Sequence, residues 1–195
     1  MEQVLGSPPR INPLPESEIA ESAMIAIDRI RTMNDIALDT PVPEFFATFG
    51  KHPELLAAFL DFGIRFLGDT ALPDRLRELV ILRTGWLCGA PFEWGEHVLI
   101  AKQDAGLSAD EIEWIVAGSA APGWGELDGA VLKACEELHA EAMISDATWQ
   151  VLARHLSDQQ LIELPVLAGQ YHKVAFVQNS LRFRLRAGNP GLSAR

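Results

Sequence analysis

Residues 75–101, RLRELVILRTGWLCGAPFEWGEHVLIA, contain two apolar-rich runs separated by Gly89, Ala90 and Pro91. Glycine closes helices and proline opens them, so this tripeptide ends one helix and starts another. Pro73 and Asp74 predict the start of the first helix, which runs to about Leu87. Pro91 suits the first turn of the second, over roughly 91–105, with Gly106 as its stop. A connection this short makes the two helices antiparallel neighbours, and a central helical hairpin is the constraint to which the rest of the chain must conform.

The flanking segments have the same period. SEIAESAMIAIDRIRTMND places Ile19, Ala23, Ala26, Ile27 and Ile30 on one stripe. Pro41 and Pro43 break the chain before a new helix start, and Pro53 opens an apolar helix over 53–67. Ser108 with Glu111, and Ser157 with Gln160, read as capping boxes. They start helices running to about Ala117 and over 158–183, with further helices at about 127–142 and 146–155. Pro165 lies inside the 158–183 run, where a kink is expected. No segment alternates with period two between hairpin turns, so the fold class is all-α. Residues 1–17 are proline-rich and read as an extended N-terminal arm. Residues 18–185 read as one helical domain and 186–195 as a C-terminal tail.

Charge and cysteine content narrow the function. The formal net charge of −11 repels a phosphate backbone, so nucleic acid is not an expected partner. No apolar run reaches membrane-spanning length and the proline-rich start is not a secretory signal, so a cytoplasmic protein with no membrane partner is expected. Two cysteines, Cys88 and Cys135, exclude a disulfide framework and a zinc site built on several thiolates. Each reads most simply as a small buried hydrophobe.

The hairpin carries the candidate chemistry. Glu93 and His97 are four residues apart and share a helix face. A carboxylate beside an imidazole favours the imidazolium and fixes the ring. Glu78 sits on the preceding helix among apolar neighbours and approaches the same spot if the hairpin packs. Arg75 or Arg83 would then neutralise it. Glu78, Glu93 and His97 are the candidate catalytic residues, and Trp94 and Arg83 the candidate substrate-binding ones. Trp94 equally suits a core or a subunit interface. Tyr171 and His172, in GQYHKV, read as packing residues.

The stretch from Glu78 to His97 resembles the carboxymuconolactone decarboxylase and AhpD-like superfamily. The redox branch of that superfamily carries a Glu, a CxxC pair beginning twelve residues on, and a His four residues after the second Cys. Here Glu78 and His97 occupy the Glu and His positions, while Ala90 and Glu93 stand where the thiols would be, and Cys88 falls two residues early. PFEWGEHV is similar to a form found in a cysteine-poor branch, with Phe92 in place of Tyr. GLSADEIEWI, LDGAVLKACEELHAEAMISDATW and LIELPVLAGQYHKVAFVQNSL look like the later helices of the family, so the likeness covers about residues 40–183. It implies an AhpD-like helical bundle, a homotrimer or homohexamer, and chemistry with no cofactor and no metal.

Dithiol peroxidase chemistry needs an attacking thiolate and a resolving thiol, and neither Ala90 nor Glu93 supplies one. What remains is acid–base machinery, which suits a cofactor-independent lyase or isomerase acting on a small organic acid or carbonyl compound. Three other readings stay open. One is a non-catalytic oligomeric scaffold of the same fold. Another is a metal held by Glu78, Glu93 and His97, with His172. The third is a residual thiol peroxidase activity at Cys88.

Overall fold

The computed structural model describes residues 7–33, 35–66, 68 and 70–195. Residues 1–6 of the expected arm and Leu67 of the expected 53–67 helix lie outside the described residues. Among the described residues the elements are α1 (Glu21–Met33), α2 (Glu44–Phe49), α3 (Pro53–Ile64), α4 (Asp74–Leu87), α5 (Pro91–Gln103), α6 (Ala109–Ala117), α7 (Glu126–Glu141), α8 (Asp146–His155) and α9 (Asp158–Leu181), with short 3-10 turns at Glu16–Glu18 and Gly191–Ser193 and no strand. The all-α expectation holds.

The helix ends follow local chemistry. Gly89 closes α4 at φ +57°, a left-handed conformation that a side chain would strain, and Pro91 occupies the first turn of α5. Ser108 and Glu111 form the expected capping box at α6, each accepting from the other's backbone N–H. Ser157 and Gln160 do the same before α9. Pro165 lies within α9, which continues through it.

The chain gathers into two compact units. One comprises residues up to Thr70 together with Ser180–Arg186. It contains α1, α2 and α3, with α1 packed on α3. Its core includes edge-to-face contacts from Phe45 to Phe49 and to Phe183, with ring centroids 5.7 and 5.1 Å apart. Arg31 is buried there, donating to Asp28 and to the carbonyls of Leu38 and Thr40. Residues 7–17 of the arm fall in this unit.

The other unit comprises Ala71–Asn179 and Ala187–Arg195. Helix α4 is its centre, packing on α5, α6 and α7, with α7 also against α8. Leu79, Val80 and Leu82 of α4, Val131 and Leu132 of α7 and Leu164 and Leu167 of α9 are fully buried. Residues 187–195 lie along α5. Asn189 donates to the Phe92 carbonyl at 3.1 Å, and the approach is so close that a side chain at Gly95 would collide with Asn189. Among the described residues no helix is long and apolar enough to cross a membrane.

Candidate functional site

The hairpin packs as its turn predicts, and this brings Glu78 of α4 to His97 of α5. Glu78 Oε2 accepts from His97 Nδ1 at 2.8 Å. Four residues before His97, Glu93 Oε2 lies 3.4 Å from His97 Nε2. The ring is therefore flanked by a carboxylate at each nitrogen. Glu78 is only 1% exposed and His97 6%. The Glu93 side chain, at 13%, is the most open of the three.

Two further side chains from α9 complete the cluster. The Tyr171 hydroxyl is 3.2 Å from His97 Nε2, with the rings edge to face. Gln178 Nε2 donates to Glu93 Oε1 at 2.6 Å. The Gln178 Oε1 atom is buried with no partner among the described residues. In the sequence Tyr171 reads as packing, and Gln178 does not stand out. The available signal is their spacing: seven residues is two helical turns, so both lie on one face of α9, and Tyr171 is the chain's one tyrosine.

Burial alone would lower the His97 imidazole, but the Glu78 carboxylate, and Glu93 after it, overcome this and raise it to about 10. Burial would push the Glu78 carboxyl up, yet the His97 charge, followed by Arg77, leaves it below its ordinary value. The pair is thus a buried carboxylate–imidazolium at neutral pH. Burial, with the charges of Glu93 and Glu78, holds the Tyr171 hydroxyl well above its usual range, so it keeps its proton. The imidazolium donates through Nδ1 to Glu78 and through Nε2 toward Tyr171 and Glu93. The tyrosine O–H proton is then free to donate elsewhere.

The arginine beside Glu78 is Arg77, whose Nε donates to Glu78 Oε1 at 3.2 Å. This corrects the expectation of Arg75 or Arg83. Arg75 points instead to Asp128 and Glu111. Arg83 donates to the carbonyls of Ile115 and Val116 and to Glu136 Oε1 at 2.9 Å. Glu136 in turn accepts from the backbone N–H and hydroxyl of Ser119. The Arg83 guanidinium is thus committed to a structural network outside the His97 cluster. Trp94 is fully buried, its indole N–H donates to the Ala194 carbonyl at 3.1 Å, and its ring packs on Trp86. Of the five residues named from the sequence, the structure brings Glu78, Glu93 and His97 together. It places Arg83 and Trp94 in separate packing environments.

The cysteines differ from each other. Cys135 is fully buried, and burial pushes its thiol up to about 12. Cys88 is half-buried rather than enclosed, and burial pushes it up to about 11. Its sulfur lies 4.0 Å from His139 Nδ1. His139 Nδ1 is in turn 3.0 Å from His172 Nε2. His172 therefore belongs to a cluster with His139 and Cys88, and Tyr171 is the residue of that pair that meets His97.

Among solved structures, the chain is similar to the alkylhydroperoxidase AhpD core of an uncharacterized peroxidase-related protein from Ralstonia eutropha JMP134, with TM-score 0.76, 15% identity, and coverage of 93% of this chain and 95% of that one. An uncharacterized peroxidase-related protein from Silicibacter sp. TM1040 matches with TM-score 0.73, 16% identity, and 94% and 97% coverage. The debrominase Bmp8 matches with TM-score 0.74, 15% identity, and 91% and 92% coverage, and a cysteine-to-alanine variant of it is known in complex with 2,3,4-tribromopyrrole. At such identities the likeness shows the fold. No curated protein has a significant sequence match to this chain. The sequence model of the carboxymuconolactone decarboxylase family matches residues 53–137, the span that contains Glu78, Glu93 and His97. Residues 53–137 thus match the carboxymuconolactone decarboxylase family model, within an all-helical fold similar to that of the AhpD core.

Proposed function

We propose that the protein is a cofactor-independent lyase or isomerase that moves protons on a small organic acid or carbonyl compound. The supporting observation is the buried imidazolium of His97 held between Glu78 and Glu93, with the Tyr171 hydroxyl at Nε2. Each residue has a distinct part. Glu93, the most open of the three, exchanges a proton with the carbon next to a carbonyl. The Tyr171 O–H donates to the oxygen on which enolate charge develops, and the His97 charge behind it stabilises that anion. Gln178 steadies Glu93 through one amide atom and offers the other, Oε1, to a substrate hydroxyl. Glu78 keeps His97 charged.

In an isomerisation the proton removed by Glu93 returns to a neighbouring carbon. In a decarboxylation the carbon–carbon bond breaks, carbon dioxide leaves, and the enolate takes up a proton. Neither route requires a thiol, in keeping with Ala90 and Glu93 at the positions where the redox relatives carry cysteines. We assign the protein no dithiol peroxidase activity, a cytoplasmic location and a homotrimeric or homohexameric assembly.

The test is deuterium wash-in from heavy water, followed by proton NMR, over a panel of β-keto acids, unsaturated lactones and small ketones. Exchange at the carbon next to the carbonyl is expected with the wild type and not with Glu93→Gln or His97→Asn. Full exchange in both variants refutes the assignment.

A second reading is favoured by the 1% exposure of Glu78 and its fully engaged carboxylate. On that reading the cluster is a buried polar network that fixes helix register in a non-catalytic scaffold. It requires that no panel compound exchange and that Glu93→Gln alter stability alone.

A further inference from the structure

We propose that Cys88, His139 and His172 form a binding site for a thiophilic divalent metal ion of the zinc class. The three come from the ends or middles of three helices. Cys88 caps the C-terminus of α4, His139 lies in the last turn of α7, and His172 is midway along α9. One ligand atom from each lies within 4.8 Å of the other two. Tetrahedral zinc with ordinary bond lengths separates two nitrogen ligands by about 3.3 Å, and a sulfur from a nitrogen by about 3.6 Å. The distances here are 3.0 Å between the His139 and His172 nitrogens and 4.0 Å from the Cys88 sulfur to His139. The Cys88 sulfur and the His172 ligand nitrogen are within 4.8 Å, so shifts of a few tenths of an ångström for two pairs and at most about 1 Å for the third, within reach of side-chain rotation, would admit an ion.

The surroundings set the ligands. His172 Nδ1 lies 2.8 Å from the Ala168 carbonyl, one helical turn back, which places the proton on Nδ1 and turns the Nε2 lone pair to the cluster. Asn179 Nδ2 donates to the Cys88 carbonyl at 2.9 Å and anchors the residue that carries the sulfur. The nearby Arg83 charge is offset by its ion pair with Glu136. His139 is exposed and the other two are half-buried, so an ion has an entry path and a fourth position remains for water. On binding, the Cys88 sulfur exchanges its proton for the metal, and one proton is released to solvent. This site is distinct in residues and ligand type from the cluster at His97. A single thiolate with two imidazoles also differs from the multi-thiolate centre that two cysteines exclude.

The test uses full-length protein purified without an affinity tag, dialysed against chelator and titrated with cobalt(II). One equivalent should bind, with the visible bands of tetrahedral cobalt and a near-ultraviolet sulfur-to-cobalt band, and zinc should bleach both. Cys88→Ser should remove the near-ultraviolet band, and His139→Asn and His172→Asn should each weaken binding at least tenfold, with circular dichroism unchanged. The proposal is overturned if the folded wild type takes up no stoichiometric cobalt, or if uptake is unchanged in both Cys88→Ser and His139→Asn. It is also overturned if uptake is lost in Glu93→Gln and retained in Cys88→Ser, which would put the ion among the carboxylates.

Discussion

Replacing Glu78 by glutamine keeps the shape of the side chain and removes the charge that holds His97 protonated. The imidazole lies at about 10 in the folded protein against an ordinary 6.5. At pH 7 that difference stabilises the fold by about 4 kcal/mol, taking about 1.4 kcal/mol for each tenfold gain in proton affinity and allowing for partial protonation of the unfolded chain. This agrees with the roughly 3–5 kcal/mol lost when one partner of a buried ion pair is removed. In Glu78→Gln the introduced amide carbonyl still accepts from Nδ1, but the largest contribution to that stabilisation is lost and only the smaller one from Glu93 at Nε2 remains. A raised histidine stabilises fully below its unfolded value and loses this effect as pH climbs through the folded one. The stability gap between wild type and variant should therefore be widest below about pH 6.5, already narrower at pH 7, and fall below about 1 kcal/mol at pH 10. Denaturant titrations of both proteins at several pH values measure the gap, and imidazole NMR follows His97 directly. At pH 7 the variant should melt lower by up to roughly 8–16 °C. A gap that stays constant between pH 7 and 10, or a wild-type His97 that titrates near 6.5, refutes the reasoning.

Trp94→Phe removes the indole donor to the Ala194 carbonyl and part of a fully buried ring, and should cost about 1–3 kcal/mol in denaturation while leaving the apparent KM of any substrate unchanged. A changed KM at unaltered stability would restore Trp94 as a substrate contact. Gly118 has φ +100°, and a Cβ there would lie 2.5 Å from Arg83 Nη2 and 2.6 Å from Glu136 Oε1. Gly118→Ala should therefore destabilise by more than the roughly 1–3 kcal/mol of a strained residue, because it also disturbs the Arg83–Glu136 pair; a near-neutral melt would show that the loop relaxes freely. Hydroperoxide turnover with a dithiol donor should be absent, since burial keeps the Cys88 thiol up at about 11 and its sulfur faces His139. Robust turnover that disappears in Cys88→Ser would overturn that expectation.

The sequence alone determined what is set within a few residues. Gly89, Pro91 and the Ser108 and Ser157 caps satisfy or interrupt backbone hydrogen bonds of their own helix, so the ends of α4, α5, α6 and α9 are legible in one dimension. The Glu93–His97 pairing is legible for the same reason, because four residues is about one turn. The family likeness extends this to Glu78, which sits one helix away. Tertiary structure decided everything that depends on how helices are rotated about their axes when they pack. Arg77 meets Glu78 while Arg83 turns to Glu136, although both arginines lie on α4. Residues 187–195, which read as a tail, cover Trp94. Tyr171 reaches His97 from 74 positions away and Gln178 reaches Glu93 from 85, both from α9. Adjacent His172 faces a different cluster because neighbouring residues on a helix point about 100° apart. Such encounters follow from how the collective burial of apolar faces rotates and packs the helices, and no local pattern in the chain encodes them.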